Sequence, residues 1–126
     1  MLYEIQKVKQ IEGQDFRRWF TDDYFDLFVW YGTGGTISSF QLTYDKGHQE
    51  RAVTWTPRGG CTHTGVDDGE EDPMASRTPL LETDGEFDNT TVARQFRKAS
   101  RNIDGNLADF VYDKLSRFFE NEGRNL

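Results

Sequence analysis

The chain has 126 residues, which is the size of one domain, and we predict a single domain over residues 1–126. Aromatic residues make up 14% of it, a content that excludes a disordered chain. The net charge of -7 repels phosphate backbones, so nucleic acid is not an expected partner. No apolar run approaches the ~18 residues that cross a bilayer, so no membrane segment is expected either.

Two further features of the sequence predict the cellular compartment of the protein. The first residues lack a basic segment followed by an apolar stretch, so no secretory signal is predicted. The chain has one cysteine, Cys61, which cannot form an internal disulfide and fits a reducing compartment. A cytoplasmic protein is therefore expected.

The first half of the sequence is predicted to be strands. The loosely alternating segment from Tyr3 to Val8 is typical of an edge strand. Four segments rich in aromatic and β-branched residues follow, separated by turn-forming residues of hairpin length. These segments are residues 16–20, 24–31, 36–44 and 49–56. They predict an antiparallel meander of four or more strands.

Turn positions predict which residues face each other across each hairpin. If the first turn spans residues 21–23, Trp19 lies opposite Phe25 and Arg18 lies opposite Asp26. The same counting places Phe25 opposite Leu42 and Phe40 opposite Val53. One face then forms the core: Trp19, Phe25, Leu27, Val29, Tyr31, Phe40, Leu42, Val53 and Trp55. The other face is half aromatic and half polar: Phe16, Arg18, Phe20, Tyr24, Asp26, Phe28, Trp30, Ile37, Ser39, Gln41, Thr43, Ala52 and Thr54.

The mixed face is the first candidate for function, because so many rings are rarely left in water. Six residues on it are assigned to an interface or ligand site: Arg18, Tyr24, Asp26, Phe28, Trp30 and Gln41. The preferred hypothesis is a homodimer formed through this face, and the second is a concave binding site for a small molecule. The pair formed by Arg18 and Asp26 is interpreted first as a device that sets the register, and second as a polar anchor for a ligand.

A long acidic loop is predicted over residues 57–79, and it holds the second candidate. His63, Asp67, Asp68 and Glu70 combine imidazole and carboxylate groups, which suit a divalent cation in a metal-dependent hydrolase. A solvated charge run is the favoured interpretation, because no second histidine lies nearby. Cys61 and His63 would share a face of an extended segment, but a structural thiol is favoured over a nucleophile. No residue is assigned a catalytic role.

Two helices are predicted at the carboxyl end of the chain. Val92, Phe96 and Ala99 form an apolar stripe after Thr90 or Thr91 as an N-cap. A second stripe runs from Ile103 to Phe118. Both helices are expected to cover the core face, which makes the fold α+β, and residues 121–126 are expected to fray.

Five segments of the sequence are similar to those of a small family of uncharacterised bacterial proteins. The segments are YFDLFVWY, FQLTYD, HTGVDDGE, TPLLETDGEFD and IDGNLADFVYDKL, and the resemblance covers most of the chain from Arg18 to Leu115. It implies a bacterial, cytoplasmic origin. It implies no activity and no functional residue, so the expected function is a non-enzymatic interaction module, with the metal-dependent hydrolase as the alternative.

Overall fold

The computed structural model describes residues 1–65 and 87–121, which form an α+β fold, as predicted. A six-stranded antiparallel sheet has its strands in sequence order, which is a meander. The strands are β1 (Tyr3–Glu4), β2 (Phe16–Thr21), β3 (Phe25–Tyr31), β4 (Ile37–Tyr44), β5 (Arg51–Thr56) and β6 (Gly60–Gly65). The helices are α1 (Asn89–Ala99), α2 (Gly105–Ser116) and α3 (Phe118–Asn121).

The helices pack on one face of the sheet, here called the inner face, and build the core there. Phe96 of α1 meets Phe25 edge to face at 5.9 Å between ring centroids, and Phe110 of α2 meets Phe40 in the same way at 6.3 Å. The Asn89 side chain donates a hydrogen bond to the Leu115 carbonyl (3.0 Å), which ties the start of α1 to the end of α2. The buried apolar residues of the core are Leu2, Phe20, Phe25, Leu27, Val29, Phe40, Leu42, Val53, Cys61, Phe87, Val92, Ala93, Phe96, Leu107, Val111, Leu115 and Phe118.

The predicted register of the first hairpin is wrong. Trp19 lies opposite Phe28 rather than Phe25, and Arg18 lies opposite Val29 rather than Asp26. The reason is the turn, because the Asp22 carboxylate accepts hydrogen bonds from the backbone N–H groups of Tyr24 (2.8 Å) and Phe25 (2.7 Å) and closes the chain after Asp22. A shift by an odd number of residues exchanges the two faces of β2. Phe20 and Arg18 therefore face the helices, and Trp19 faces away from them.

The next two hairpins also differ from the predicted register, but they exchange no faces apart from Ile37, which was predicted for the outer face. Ile37 lies opposite Tyr31 beside a register irregularity and packs on the core. Phe25 lies opposite Tyr44, and Phe40 lies opposite Trp55, each two residues from the predicted partner. A shift by two keeps the other side chains on their predicted faces. The core assignments in β3, β4 and β5 therefore hold.

The predicted boundaries of the loop and the helices need correction. Gly60–Gly65 is a strand, although the sequence predicts a loop from residue 57. The N-cap of α1 is Asp88, not Thr90 or Thr91, and its carboxylate accepts from the Thr91 N–H at 3.1 Å. The second predicted helix is divided, because α2 ends at Ser116 and α3 begins at Phe118. The remainder of the loop, residues 66–79, and tail residues 122–126 lie outside the described residues.

None of the helices within residues 1–65 and 87–121 combines the length and the apolar character that a membrane crossing requires.

Candidate functional site

Three aromatic side chains form a strip on the outer face of the sheet, the face that points away from the helices. They are Trp19 on β2 and Phe28 and Trp30 on β3, and each is half-buried. Trp19 and Phe28 are direct neighbours across the hairpin, while Phe28 and Trp30 are two residues apart on one strand. The alternation of a β-strand therefore places all three on the same face.

The rings of the aromatic strip stack on one another. The ring centroids of Trp19 and Phe28 are 5.3 Å apart with planes 15° from parallel, and those of Phe28 and Trp30 are 6.0 Å apart at 27°. Within the described part of the chain, these are the ring contacts that the three side chains make. Nearly parallel rings at these separations are offset from one another, so the three side chains together form one aromatic surface.

A compact polar cluster closes one end of the aromatic strip. One oxygen of Asp26 accepts hydrogen bonds from the Thr21 hydroxyl (2.6 Å) and from the Trp19 indole N–H (3.2 Å). The Lys46 ammonium lies 3.3 Å from the same oxygen and donates to the Thr21 hydroxyl (3.0 Å) and to the Asp22 carbonyl (2.8 Å). This cluster holds the Trp19 ring in one orientation and makes this end of the strip rigid.

The rest of the outer face is mostly neutral. Arg17 lies opposite Trp30, and Gln41 lies opposite Phe28. The outer-face residues of β2 to β6 are Arg17, Trp19, Thr21, Asp26, Phe28, Trp30, Ser39, Gln41, Thr43, Ala52, Thr54, Thr56, Gly60, Thr62 and Thr64. Arg17 and Asp26 are the charged members of this set, so the acidic excess of the chain does not lie on it.

Arg18, predicted for the outer face, lies on the inner face instead. Its guanidinium donates two hydrogen bonds to the Glu4 carboxylate (2.8 and 2.9 Å) and one to the Tyr31 hydroxyl (3.3 Å). A second carboxylate, that of Asp104, lies 3.7 Å away. The hydrogen bonds between Arg18 and Glu4 lower the pKa of the Glu4 carboxyl group and raise the pKa of the Arg18 guanidinium.

Tyr24 is the second predicted site residue that does not lie on the outer face. It precedes β3, and its side chain packs on the core. The Tyr24 ring meets the Phe25 ring edge to face, with centroids 4.9 Å apart, and is tilted against the Tyr44 ring, with centroids 6.3 Å apart. Burial, and then the charge of Asp45, raise the pKa of the Tyr24 phenol. Of the six predicted interface residues, Asp26, Phe28, Trp30 and Gln41 remain together on the outer face.

One of the four predicted metal ligands, His63, is described by the structure, while Asp67, Asp68 and Glu70 lie outside the described residues. His63 is on the inner face of β6, with Nε2 2.8 Å from the Tyr44 hydroxyl and its ring stacked on Phe87 at 4.1 Å. In residues 1–65 and 87–121 no cluster of three or more potential metal-ligating side chains occurs. The cation site and the hydrolase therefore stay predictions.

Cys61 shares the inner face of β6 with His63, as the alternation predicts. Its side chain is 1% exposed, and its sulfur lies 3.9 Å from the Lys114 carbonyl. A thiol sealed in the core in this way is not accessible to a substrate, which favours the structural interpretation of Cys61.

The sequence interpretation missed four residues of the site, which are Trp19, Lys46, Thr21 and Arg17. Trp19 was assigned to the core because of the wrong register. The signal that could have placed it is Asp22, since an aspartate often accepts hydrogen bonds from backbone N–H groups two residues further along a turn. Lys46 carries no such signal, because its contact joins the turn after β4 to Asp26 of β3, twenty residues earlier in the sequence.

No protein-family model matches the chain, and neither curated proteins nor solved structures show significant similarity to it. The resemblance to uncharacterised bacterial proteins and the bacterial origin that it implies therefore stay predictions. The functional argument rests on the geometry of the site.

Proposed function

We propose that the protein is a non-enzymatic interaction module that forms a homodimer through the outer face of its sheet. The observation that carries the proposal is the aromatic strip of Trp19, Phe28 and Trp30 on the face opposite the helices. Aromatic rings on a rigid surface contribute more to protein interfaces than most other side chains. A cytoplasmic location suits such a module, whose single cysteine is buried.

The distribution of charge favours a second copy as the partner. The whole chain carries -7, but the charged residues on the outer-face strands are one Arg17 and one Asp26, and Asp26 is paired with Lys46 at 3.3 Å. Arg17 lies at one end of the strip beside Trp30, and Asp26 lies at the other end beside Thr21. A symmetric dimer places the same surface on both sides of its interface, and this surface carries no acidic excess that would repel a second copy.

The stacking of the rings favours a protein partner over a planar ligand. A nucleobase or a sugar ring binds against an open aromatic face. In the strip, Phe28 lies between Trp19 and Trp30, and each pair of rings is nearly parallel and offset. The three offset rings and the neutral side chains around them, such as Gln41, fit an irregular apolar surface of a second chain.

The proposal is tested by the concentration dependence of the molecular mass, measured by sedimentation velocity. We expect the wild-type protein to dimerise, and Phe28→Ala or Trp30→Ala to raise the dissociation constant about tenfold or more, as for a central interface residue.

Phe16→Ala is the matched control, since Phe16 is a more exposed aromatic residue (56%) that lies on the inner-face register of β2, away from the strip. The dimer dissociation constant of Phe16→Ala should equal that of the wild type. A wild-type protein that stays monomeric at all accessible concentrations would refute the homodimer. Equal effects of Phe28→Ala and Phe16→Ala would refute the assignment of the interface to the strip.

A further inference from the structure

The segment that joins β1 to β2 is anchored to the edge of β2 by the side chain of Gln10. Its amide oxygen accepts a hydrogen bond from the Arg17 backbone N–H (2.9 Å), and its amide nitrogen donates to the Arg17 carbonyl (2.9 Å). The same nitrogen donates to the Val8 carbonyl at 3.2 Å. One residue of a neighbouring strand would present the same donor and acceptor, so the Gln10 amide takes the place of a strand partner for Arg17.

The anchored segment also holds the side chain of Arg17. The Nε–H group of Arg17 donates a hydrogen bond to the Lys9 carbonyl at 3.0 Å. Within residues 1–65 and 87–121, the Arg17 guanidinium makes neither an ion pair nor a cation–π contact. The Lys9 carbonyl therefore directs the guanidinium beyond the edge of β2, to the side away from β3.

Without this contact, Arg17 would lie beside the ring of Trp30. The two residues are cross-strand partners on the outer face. The backbone groups of Arg17 point to Gln10 rather than to β3, so Arg17 and Trp30 form a non-hydrogen-bonded pair, the kind with the closest side chains. A guanidinium within ~6 Å of a tryptophan ring centroid is attracted to the ring face. The hydrogen bond to Lys9 thus keeps a natural neighbour off the Trp30 ring.

We propose that Gln10 is a positioning residue for the dimer interface, an inference that rests on the proposed function. By anchoring residues 8–10 to the edge of β2, Gln10 places the Lys9 carbonyl where it holds Arg17 away from Trp30. The Trp30 ring is then open to the second copy. When the Gln10 amide is removed, the segment is released, and the Arg17 guanidinium turns toward β3 and covers the ring.

The first test is the dimer dissociation constant, measured by sedimentation velocity on the full chain. Gln10→Ala should raise it about fivefold, because a weak cation–π contact must be broken in each of the two copies before they associate. Gln14→Ala is the matched control, since Gln14 is an exposed glutamine of the same segment. Its dimer dissociation constant should equal that of the wild type.

The same substitution in an Arg17→Met background separates positioning from a merely structural role. Methionine keeps a long apolar side chain but has no guanidinium that could cover Trp30, so Gln10→Ala should leave the dissociation constant unchanged there. The hydrogen bonds of Gln10 are to the backbone of Arg17 and are retained in this background. An equal loss of affinity in both backgrounds would overturn the proposal.

The second test does not depend on dimerisation. In dilute protein, Gln10→Ala should shift the NMR signal of the Trp30 indole N–H, and the shift should be absent in the Arg17→Met background. An unchanged Trp30 signal in Gln10→Ala would overturn the proposal. A wild type that stays monomeric would refute the proposed dimer, whereas the Trp30 signal would still show whether Gln10 holds Arg17 aside, so the two failures are distinguishable.

Discussion

At the scale of single residues, Arg18 shows how one side chain joins distant parts of the chain. It extends from β2 to Glu4 on β1, to Tyr31 on β3 and toward Asp104 before α2. Its guanidinium also lies 4.9 Å from the ring centroid of Phe20. A planar group with five donors can serve several partners at once, which a lysine could not do with the same geometry. Arg18 therefore joins β1, β2 and β3 to one another near the start of α2.

The hydrogen bonds with Arg18 make the contribution of Glu4 to stability depend on pH. The pKa of Glu4 is lowered in the folded state, so its stabilisation is fully present above its unfolded pKa of about 4.3 and is lost as the pH falls through the lower, folded value. The side chain is 34% exposed, so solvent screening limits the contribution. Glu4→Gln should cost about 0.5–1 kcal/mol at neutral pH.

Urea unfolding of the wild type and Glu4→Gln at neutral pH and near pH 3 measures this difference. The gap between the two proteins should narrow at the lower pH, while exposed Glu12→Gln should follow the wild type at both. A gap that does not change with pH would show that lost packing, rather than charge, is the cause.

At the scale of elements, the first hairpin depends on the turn at Asp22. The Asp22 carboxylate accepts hydrogen bonds from the backbone N–H groups of Tyr24 and Phe25, and this fixes where β3 begins. That starting point places Phe20 opposite Leu27 in the core and Trp19 opposite Phe28 on the outer face. One side chain in a turn thus determines which face of β2 is buried.

Asp22→Ala should lower the free energy of unfolding by about 1–2 kcal/mol, because two backbone N–H groups lose their acceptor. Asp22→Asn keeps an acceptor oxygen and should cost less. The exposed neighbour provides the control, since Asp23→Ala should behave as the wild type in the same urea titration. A loss in Asp23→Ala equal to that in Asp22→Ala would contradict the role assigned to the Asp22 carboxylate.

At the scale of the whole molecule, two layers share one core, and Phe96 connects them. It is fully buried on α1 and meets Phe25 of the sheet edge to face. Within the described residues, the helices cover only the inner face of the sheet. The two faces of the sheet therefore have different roles. The inner face provides stability, and the outer face is the proposed interface.

Removal of the Phe96 ring should therefore affect the whole domain. Phe96→Ala leaves a large cavity between the layers and should cost about 3–5 kcal/mol, a major share of the ~5–15 kcal/mol that stabilises a typical domain. Phe119→Ala removes a ring that is 50% exposed and should cost less than about 1 kcal/mol. Thermal and urea unfolding of both variants measure the contrast, and equal losses would contradict the proposed core.

The sequence by itself determined the α+β class, the strands from Phe16 to Thr56 and the apolar stripes of the helices. These features follow from periodicity within short segments, since residues two apart share a strand face and residues three or four apart share a helix face. The register errors in the second and third hairpins kept most side chains on their predicted faces, because they were shifts of two; Ile37, next to a register irregularity, is the exception and lies on the inner face. Strand β6 was missed because its glycines, its threonines and the acidic run after it are typical of a loop.

Only the tertiary structure decided the faces of β2 and the partners of Arg18. The faces of β2 depend on hydrogen bonds of the Asp22 side chain, which the hydrophobic pattern does not encode. Glu4 and Asp104 approach Arg18 from β1 and from the start of α2, and this contact exists only once the helices lie on the sheet. The hydrophobic pattern of a sequence relates residues that are a few positions apart, whereas sites of this kind are made by contacts between residues far apart in sequence.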